Sequence, residues 1–209
     1  MFNYKIRTEI VSQKRGNLCY DIHYPVIEKP DGTATASINN FSKFAAGEFE
    51  KFIHSSIVPA AREKEGDFSV ARVYRLMYSS RFIISYKYEI NSYDNKMNRI
   101  NLVSGATWNT RTGSLVRLGD FFRKNVRYRE MILYILSGKI KQRIADGEKF
   151  FDDWNARLYA FFKTENYYLC AEGMVFYFPY GALKPNEDRP SEYMISFMEL
   201  KNQIRTEIF

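Results

Sequence analysis

The sequence predicts an α+β domain: an antiparallel sheet of hairpins and a meander, with two main helices packed on one side of it. Three observations carry this. Most of the chain alternates apolar and polar residues in runs of strand length, separated by short turns rich in Gly, Asn, Asp and Ser. Two segments, from Ser37 to Ile57 and around Ile132 to Ile144, change to helical spacing. The 16 Tyr and 17 Phe add a load of residues that favour strands.

Phe2, Tyr4, Ile6, Thr8 and Ile10 alternate with polar residues, as do Leu18, Tyr20, Ile22 and Tyr24 after the Arg15-Gly16-Asn17 turn, which makes a hairpin. Pro25 marks a strand end or edge, and Pro30-Asp31-Gly32 gives the following loop its turn. Ser37 is the expected N-cap of the first helix, with Ile38, Phe41, Phe44, Ala45, Phe49, Phe52, Ile53 and Ile57 at helical spacing. Pro59 is expected to kink or end it. Strands at 68–78, 82–93 and 99–110 and a short one at 115–118 follow, with turns at Ser79-Ser80-Arg81, Asp94-Asn95-Lys96 and Arg111-Thr112-Gly113-Ser114. Turns this short force antiparallel neighbours. Ile132, Ile135, Leu136, Ile140 and Ile144 line the second helix, which Gly147 follows. A helical turn is expected near Asp152–Ala156, and then a hairpin, 167–170 with 174–178, in which Gly173 supplies a positive φ. After the polar stretch Asn186–Ser191, a last strand at 193–197 precedes a terminal helix from Met198.

The 209 residues are 45% hydrophobic, which excludes disorder and fits one domain over 1–209; two subdomains meeting near Gly66 are the alternative. The net charge is +7 with pI about 9.3, a balance that attracts nucleic acid, anionic lipid or an acidic polymer, or simply keeps a protein soluble. Cys19 and Cys170 lie in apolar strand runs and read as small buried hydrophobes. No secretory signal and no apolar run of membrane length is visible.

Several phrases resemble the domain of unknown function at the C-terminus of RsiV-type anti-sigma-V factors, also found beside the catalytic domain of PdaC-type peptidoglycan deacetylases. They are His23–Ile27 (HYPVI), Ser37–Asn40 (SINN), Asn109–Phe122 (NTRTGSLVRLGDFF), Asn166–Phe178 (NYYLCAEGMVFYF) with Pro179-Tyr180, and Tyr193–Leu200. The order is the family's, and the resemblance spans nearly the whole chain. There are departures. The family's Gly-Gly-Ala-His ahead of the Thr-Gly turn reads Ser104-Gly105-Ala106-Thr107, without the histidine. After Pro179-Tyr180 an acidic residue and Ala-Pro-Tyr are replaced by Gly181-Ala182-Leu183-Lys184-Pro185. The resemblance implies an α+β fold and a ligand-binding or sensing role at the cell envelope, with a protein (a muramidase among them) or a cell-wall glycan as partner. If Met1 is the natural start, the expected location is cytoplasmic; the alternative is an extracytoplasmic domain separated from its anchor.

The chemistry-bearing residues point away from an enzyme. HExxH, CxxC, GxSxG and a Walker loop do not occur, so no cofactor or metal is implied. Cys19, Asp21 and His23 share one strand face, where a thiol–base pair or part of a metal site competes with an ordinary polar face. His54 is expected on the outer face of its helix, and the acidic pairs Asp152-Asp153 and Glu48 with Glu50 on the surface. Arg117, Arg123, Lys124, Arg127 and Arg129, with Lys139, Lys141 and Arg143 beyond, form a basic stretch near Phe121, Phe122 and Tyr128. Such a stretch would suit phosphates, although no nucleic-acid-binding motif accompanies it. Trp108 among small residues offers an aromatic platform, in competition with packing beneath a helix. The candidate binding residues are therefore Trp108, Tyr180 and Lys184 around one groove, and Arg123, Lys124 and Arg127 on the basic stretch.

Overall fold

The structure, a computed structural model, describes residues 4–28, 32–63, 66–94, 99–185, 187 and 189–205. It is α+β and holds a six-stranded sheet in the order β1-β2-β3-β4-β5-β6 and a separate three-stranded sheet, β7-β8-β9. The strands are β1 (Ile6–Arg15), β2 (Leu18–Ile27), β3 (Phe68–Ser79), β4 (Ile83–Asp94), β5 (Arg99–Asn109), β6 (Ser114–Leu115), β7 (Tyr167–Leu169), β8 (Gly173–Phe178) and β9 (Ser191–Ser196). The helices are α1 (Gly32–Phe52), α2 (Val58–Arg62), α3 (Tyr128–Ala145), α4 (Trp154–Phe161) and α5 (Phe197–Leu200).

The β1–β2 hairpin and the β3–β6 meander are antiparallel, as their short turns require. Gly16 turns the first hairpin at φ +64°. The sheet is nevertheless mixed, because β2 and β3 run parallel. Their connection contains α1, which is long enough for a parallel crossover.

Alternation along the central strand explains the layering. Ile84, Tyr86 and Tyr88 of β4 face α1, packing with Ile38 of that helix and with Trp108 of β5. The opposite side of this sheet meets sheet two: Met77 and Val103 pack against Tyr168, Cys170, Val175 and Tyr177. The far face of sheet two, with Leu169, Met174, Phe176 and Ile195, covers Ile132, Leu136 and Ile140 of α3. The two main helices thus occupy opposite outer faces of two stacked sheets, not one side of a single sheet. Period-two alternation assigns residues to faces but does not say what covers each face.

Local expectations fare unevenly. Ser37 is not the cap: α1 starts at Gly32, and the Ser37 hydroxyl donates to the Thr33 carbonyl at 2.9 Å from inside the helix. Near Pro59 the helix passes through a π turn, Ile53–Ile57, in which the Val58 N–H bonds the Ile53 carbonyl. Pro59 then lies in the first turn of α2, where its missing N–H costs least. The strand expected over 115–118 ends at Leu115, and Leu118–Phe121 is a 3₁₀ turn. The turn expected near residue 154 is the full helix α4, while the terminal helix is the short α5. Gly147, after α3, does take positive φ, at +93°. Gly173 is not among the glycines of positive φ. It is glycine for another reason, since a Cβ there would overlap the Ile195 carbonyl oxygen of β9. Residues 30 and 31, 95 and 96, and 186 and 188 of the expected turns lie outside the described residues.

Asn39 of α1 clamps the end of β2. Its amide oxygen accepts from the Ile27 N–H at 2.8 Å and its amide nitrogen donates to the Ile27 carbonyl at 3.0 Å, as a neighbouring strand would. Elsewhere the α1 interface is poorly satisfied. Among the described residues, Thr35 of α1 and Tyr86, Trp108 and one guanidinium nitrogen of Arg72 beneath it are buried without a hydrogen-bond partner in the protein.

Candidate functional site

The site forms where the two sheets touch. Gly105 of β5 faces the backbone of β7 so closely that a Cβ would overlap the Tyr167 carbonyl oxygen and lie 2.8 Å from its carbonyl carbon. The Gly105 N–H donates to the Tyr177 hydroxyl at 3.0 Å, fastening the sheets at this point. Beside the contact opens a cavity of about 350 Å³, bounded by β5, β6, the 3₁₀ turn, the start of α3 and the approach to β7. This lies at the small end of the range for small-molecule sites, about 300–1,000 Å³.

Its inner wall is a chain of hydroxyls whose protons can be assigned by elimination. The Leu169 N–H donates to Ser85 Oγ at 3.0 Å, and Ser85 and Thr107 are 2.8 Å apart. The Tyr167 hydroxyl donates to the Val116 carbonyl at 2.6 Å and also bonds Thr107. One consistent order results: Ser85 donates to Thr107, Thr107 to Tyr167, and Tyr167 to Val116. Burial pushes the Tyr167 phenol well above its ordinary pKa, so it stays a proton donor, while the Thr107 hydrogen bond acts in the opposite direction.

The rim is built by the 3₁₀ turn. The Arg117 N–H donates to Asp120 Oδ2 at 2.9 Å and the Asp120 N–H returns to the Arg117 carbonyl at 2.9 Å. Buried Leu118 and Phe121 anchor the turn from below. Tyr128 stacks on Phe122, ring centroids 5.1 Å apart at 10°, and closes one side against Gly119. Thr164 and Glu165 complete the mouth. The lining contains no His, Cys, Ser or Lys; its ionisable side chains are Arg117, Asp120, Glu165, Tyr128 and Tyr167.

None of the six residues singled out from the sequence lines this cavity. Trp108 is a correction: it is 4% exposed, beneath α1, with its ring edge-on to Phe41 at 4.9 Å, so it offers no surface platform. Tyr180, 56% exposed, stands on the turn after β8. Lys184 is already engaged, 3.1 Å from Glu148, 3.8 Å from Glu187 and over the Phe150 ring at 5.2 Å. Arg123, Lys124 and Arg127 are exposed just before α3, with no ion pair to any described residue. Further along, Lys139 is held by Glu199 at 3.0 Å and Arg143 by Glu148 at 3.9 Å, so the basic stretch is partly neutralised.

The other candidates disperse. Cys19 is an exposed free thiol, and neighbouring Asp21 is bonded by Ser12 of β1. Cys170 is free and buried, with its thiol pKa pushed up by burial first. Among the described residues no three His, Cys, Asp or Glu converge as metal ligands. His54 is a second correction: it turns inward, 2.9 Å from the Tyr20 hydroxyl, which also reaches Glu50 at 3.0 Å. Burial, and then the Glu50 carboxylate, push the Tyr20 phenol up to about 12. Glu48 and Asp153 make helix-surface ion pairs with Lys51 and Arg157, both at 2.7 Å.

No family model matches the sequence, and no curated protein matches it. Solved structures do. A DUF3298 family protein from Pseudomonas aeruginosa PAO1 superposes with a TM-score of 0.67 at 9% identity, over 100% of this chain and 97% of that one. A DUF3298 family member from Bacteroides fragilis NCTC 9343 gives 0.61 at 15% identity, over 97% and 94%. The chain therefore has the fold of DUF3298 family proteins. DUF3298 is the family of the RsiV-like and PdaC C-terminal domains that the sequence phrases resemble. No helix among the described residues is long and apolar enough to cross a membrane.

Proposed function

We propose that this chain is a non-catalytic ligand-binding or sensing module of the RsiV-like family, and that the cavity between the sheets is where its ligand docks. One observation carries the reading. The cavity has a hydrogen-bonded floor and a charged mouth, and its lining brings together no His, Cys, Ser or Lys and no metal-ligand cluster. The resemblance of the sequence phrases to RsiV-type domains supports a protein or cell-wall glycan as the ligand class. The test is calorimetric titration with a lysozyme-type muramidase and with a soluble wall glycan at near-physiological salt. Leu115, exposed at the mouth, is replaced by Trp to block entry. Wild type is expected to bind one of the two, and Leu115→Trp to weaken it at least tenfold, about 1.4 kcal/mol. Equal affinity of the two chains would move the site elsewhere.

A second reading rests on Arg123, Lys124 and Arg127, exposed and unpaired among the described residues. A patch of this kind binds polyanions. Its affinity for single-stranded oligonucleotide should then fall with salt at a slope of about −0.7 per phosphate neutralised. Replacing the three cations by Gln should flatten that slope. Anisotropy titrations that show no salt dependence exclude this reading.

A further inference from the structure

The cavity has two chemically different ends. Inside, the polar groups are committed to one another: Ser85 and Thr107 share a hydrogen bond, Thr107 also bonds the Tyr167 hydroxyl, and that hydroxyl donates to the Val116 carbonyl. What remains for a ligand at depth is apolar surface from Val116 and Leu118 and the Tyr167 ring. The mouth is the reverse. The Arg117 guanidinium has no carboxylate partner among the described residues. Asp120 commits only Oδ2, to a backbone N–H, and Glu165 meets nothing stronger than the Thr164 hydroxyl at 3.4 Å. One unpaired cation and two carboxylates therefore surround the entrance to an apolar chamber.

A purely anionic ligand would meet the two carboxylates, and a purely cationic one would meet Arg117. A neutral ligand would draw nothing from any of the three, which stay exposed at the rim. We infer that the cavity takes a small zwitterion with an apolar body: a free amino acid or short peptide whose carboxylate faces Arg117 and whose ammonium faces Asp120 and Glu165. This rests on the cavity being the binding site. Specificity comes from the unpaired rim charges, which stay uncompensated when a ligand's own charge is blocked.

The test is an amide NMR titration of the full chain with leucyl-alanine, N-acetyl-leucyl-alanine and leucyl-alaninamide, read at Gly105, Thr107 and Gly119. The free dipeptide is expected to give saturable shifts, and each blocked form to bind at least tenfold more weakly. Arg117→Gln, which keeps the backbone bonds of the turn, should erase the preference for the free carboxylate and leave that for the free ammonium. Leu115→Trp should abolish all the shifts. If the three peptides bind equally, the charge argument is wrong while the cavity remains a binding site. No saturable shift with any of them overturns the zwitterion, and the muramidase and glycan titrations then decide the cavity independently.

Discussion

Replacing Gly105 by alanine is expected to remove more than about 4 kcal/mol of stability, enough to unfold a marginal domain. The added methyl would overlap a backbone carbonyl of β7, and backbone cannot rotate away as a side chain can. Relief requires the sheets to part at the point where the Gly105 N–H meets Tyr177, so that bond is lost with the packing around it. The measurement is urea unfolding followed by far-UV circular dichroism. Gly138, on α3, is the control, because a Cβ there meets nothing within 4 Å. Gly138→Ala should be neutral or stabilising by up to about 1 kcal/mol. If Gly105→Ala matches that control, the sheets do not approach as described.

The next largest effect is expected at Lys87. Its ammonium lies between the sheets, with a side chain only 12% exposed, 3.1 Å from Glu89 and 2.9 Å from Glu192. Glu192 also accepts the Tyr168 hydroxyl at 3.0 Å, and Glu89 reaches Arg75 at 3.3 Å. Lys87→Met keeps the stem's volume but leaves two half-buried carboxylates without the charge between them. The expected loss is about 3 kcal/mol, the range for breaking one partner of a buried pair. Lys87→Met with Glu192→Gln should recover part of the loss at neutral pH. Thermal melts of the two variants test this, and a double variant no more stable than Lys87→Met would mean that lost packing dominates.

The elements were legible where a single local signal decides them. The first hairpin follows from alternation around Gly16-Asn17, the meander from short turns, and α3 from its Ile and Leu spacing. What escaped depends on partners distant in the chain. β4 is buried on both faces, since Ile83 and Ser85 are as fully buried as Ile84 and Tyr86, and nothing in ISYKY says that a second sheet covers the more polar one. Gly105-Ala106-Thr107 looked like a setting for an exposed Trp108. Gly105 is small because β7 crosses one face of β5, while Trp108 fills the other face under α1. Gly173 repeats the lesson, its size set by β9 rather than by its own φ. The cavity draws on four separated stretches, so no motif announced it, although Arg117 and Asp120 both stood within a phrase of interest. The basic stretch looked continuous because Glu148 and Glu199, which neutralise part of it, lie outside it.

The uneven satisfaction of buried groups gives the molecule two halves of different temper. Between sheet two and α3 the packing is apolar, apart from the Tyr193 hydroxyl. Beneath α1, the Thr35 hydroxyl, the Tyr86 phenol, the Trp108 indole N–H and one nitrogen of the Arg72 guanidinium, which stacks on Tyr88 at 4.4 Å, have no hydrogen-bond partner in the protein. Each such group works against closure by about 1–3 kcal/mol. The α1 seam is therefore the layer expected to open first. Amide exchange is expected to be faster there than in the stacked sheets with α3, which should hold until global unfolding.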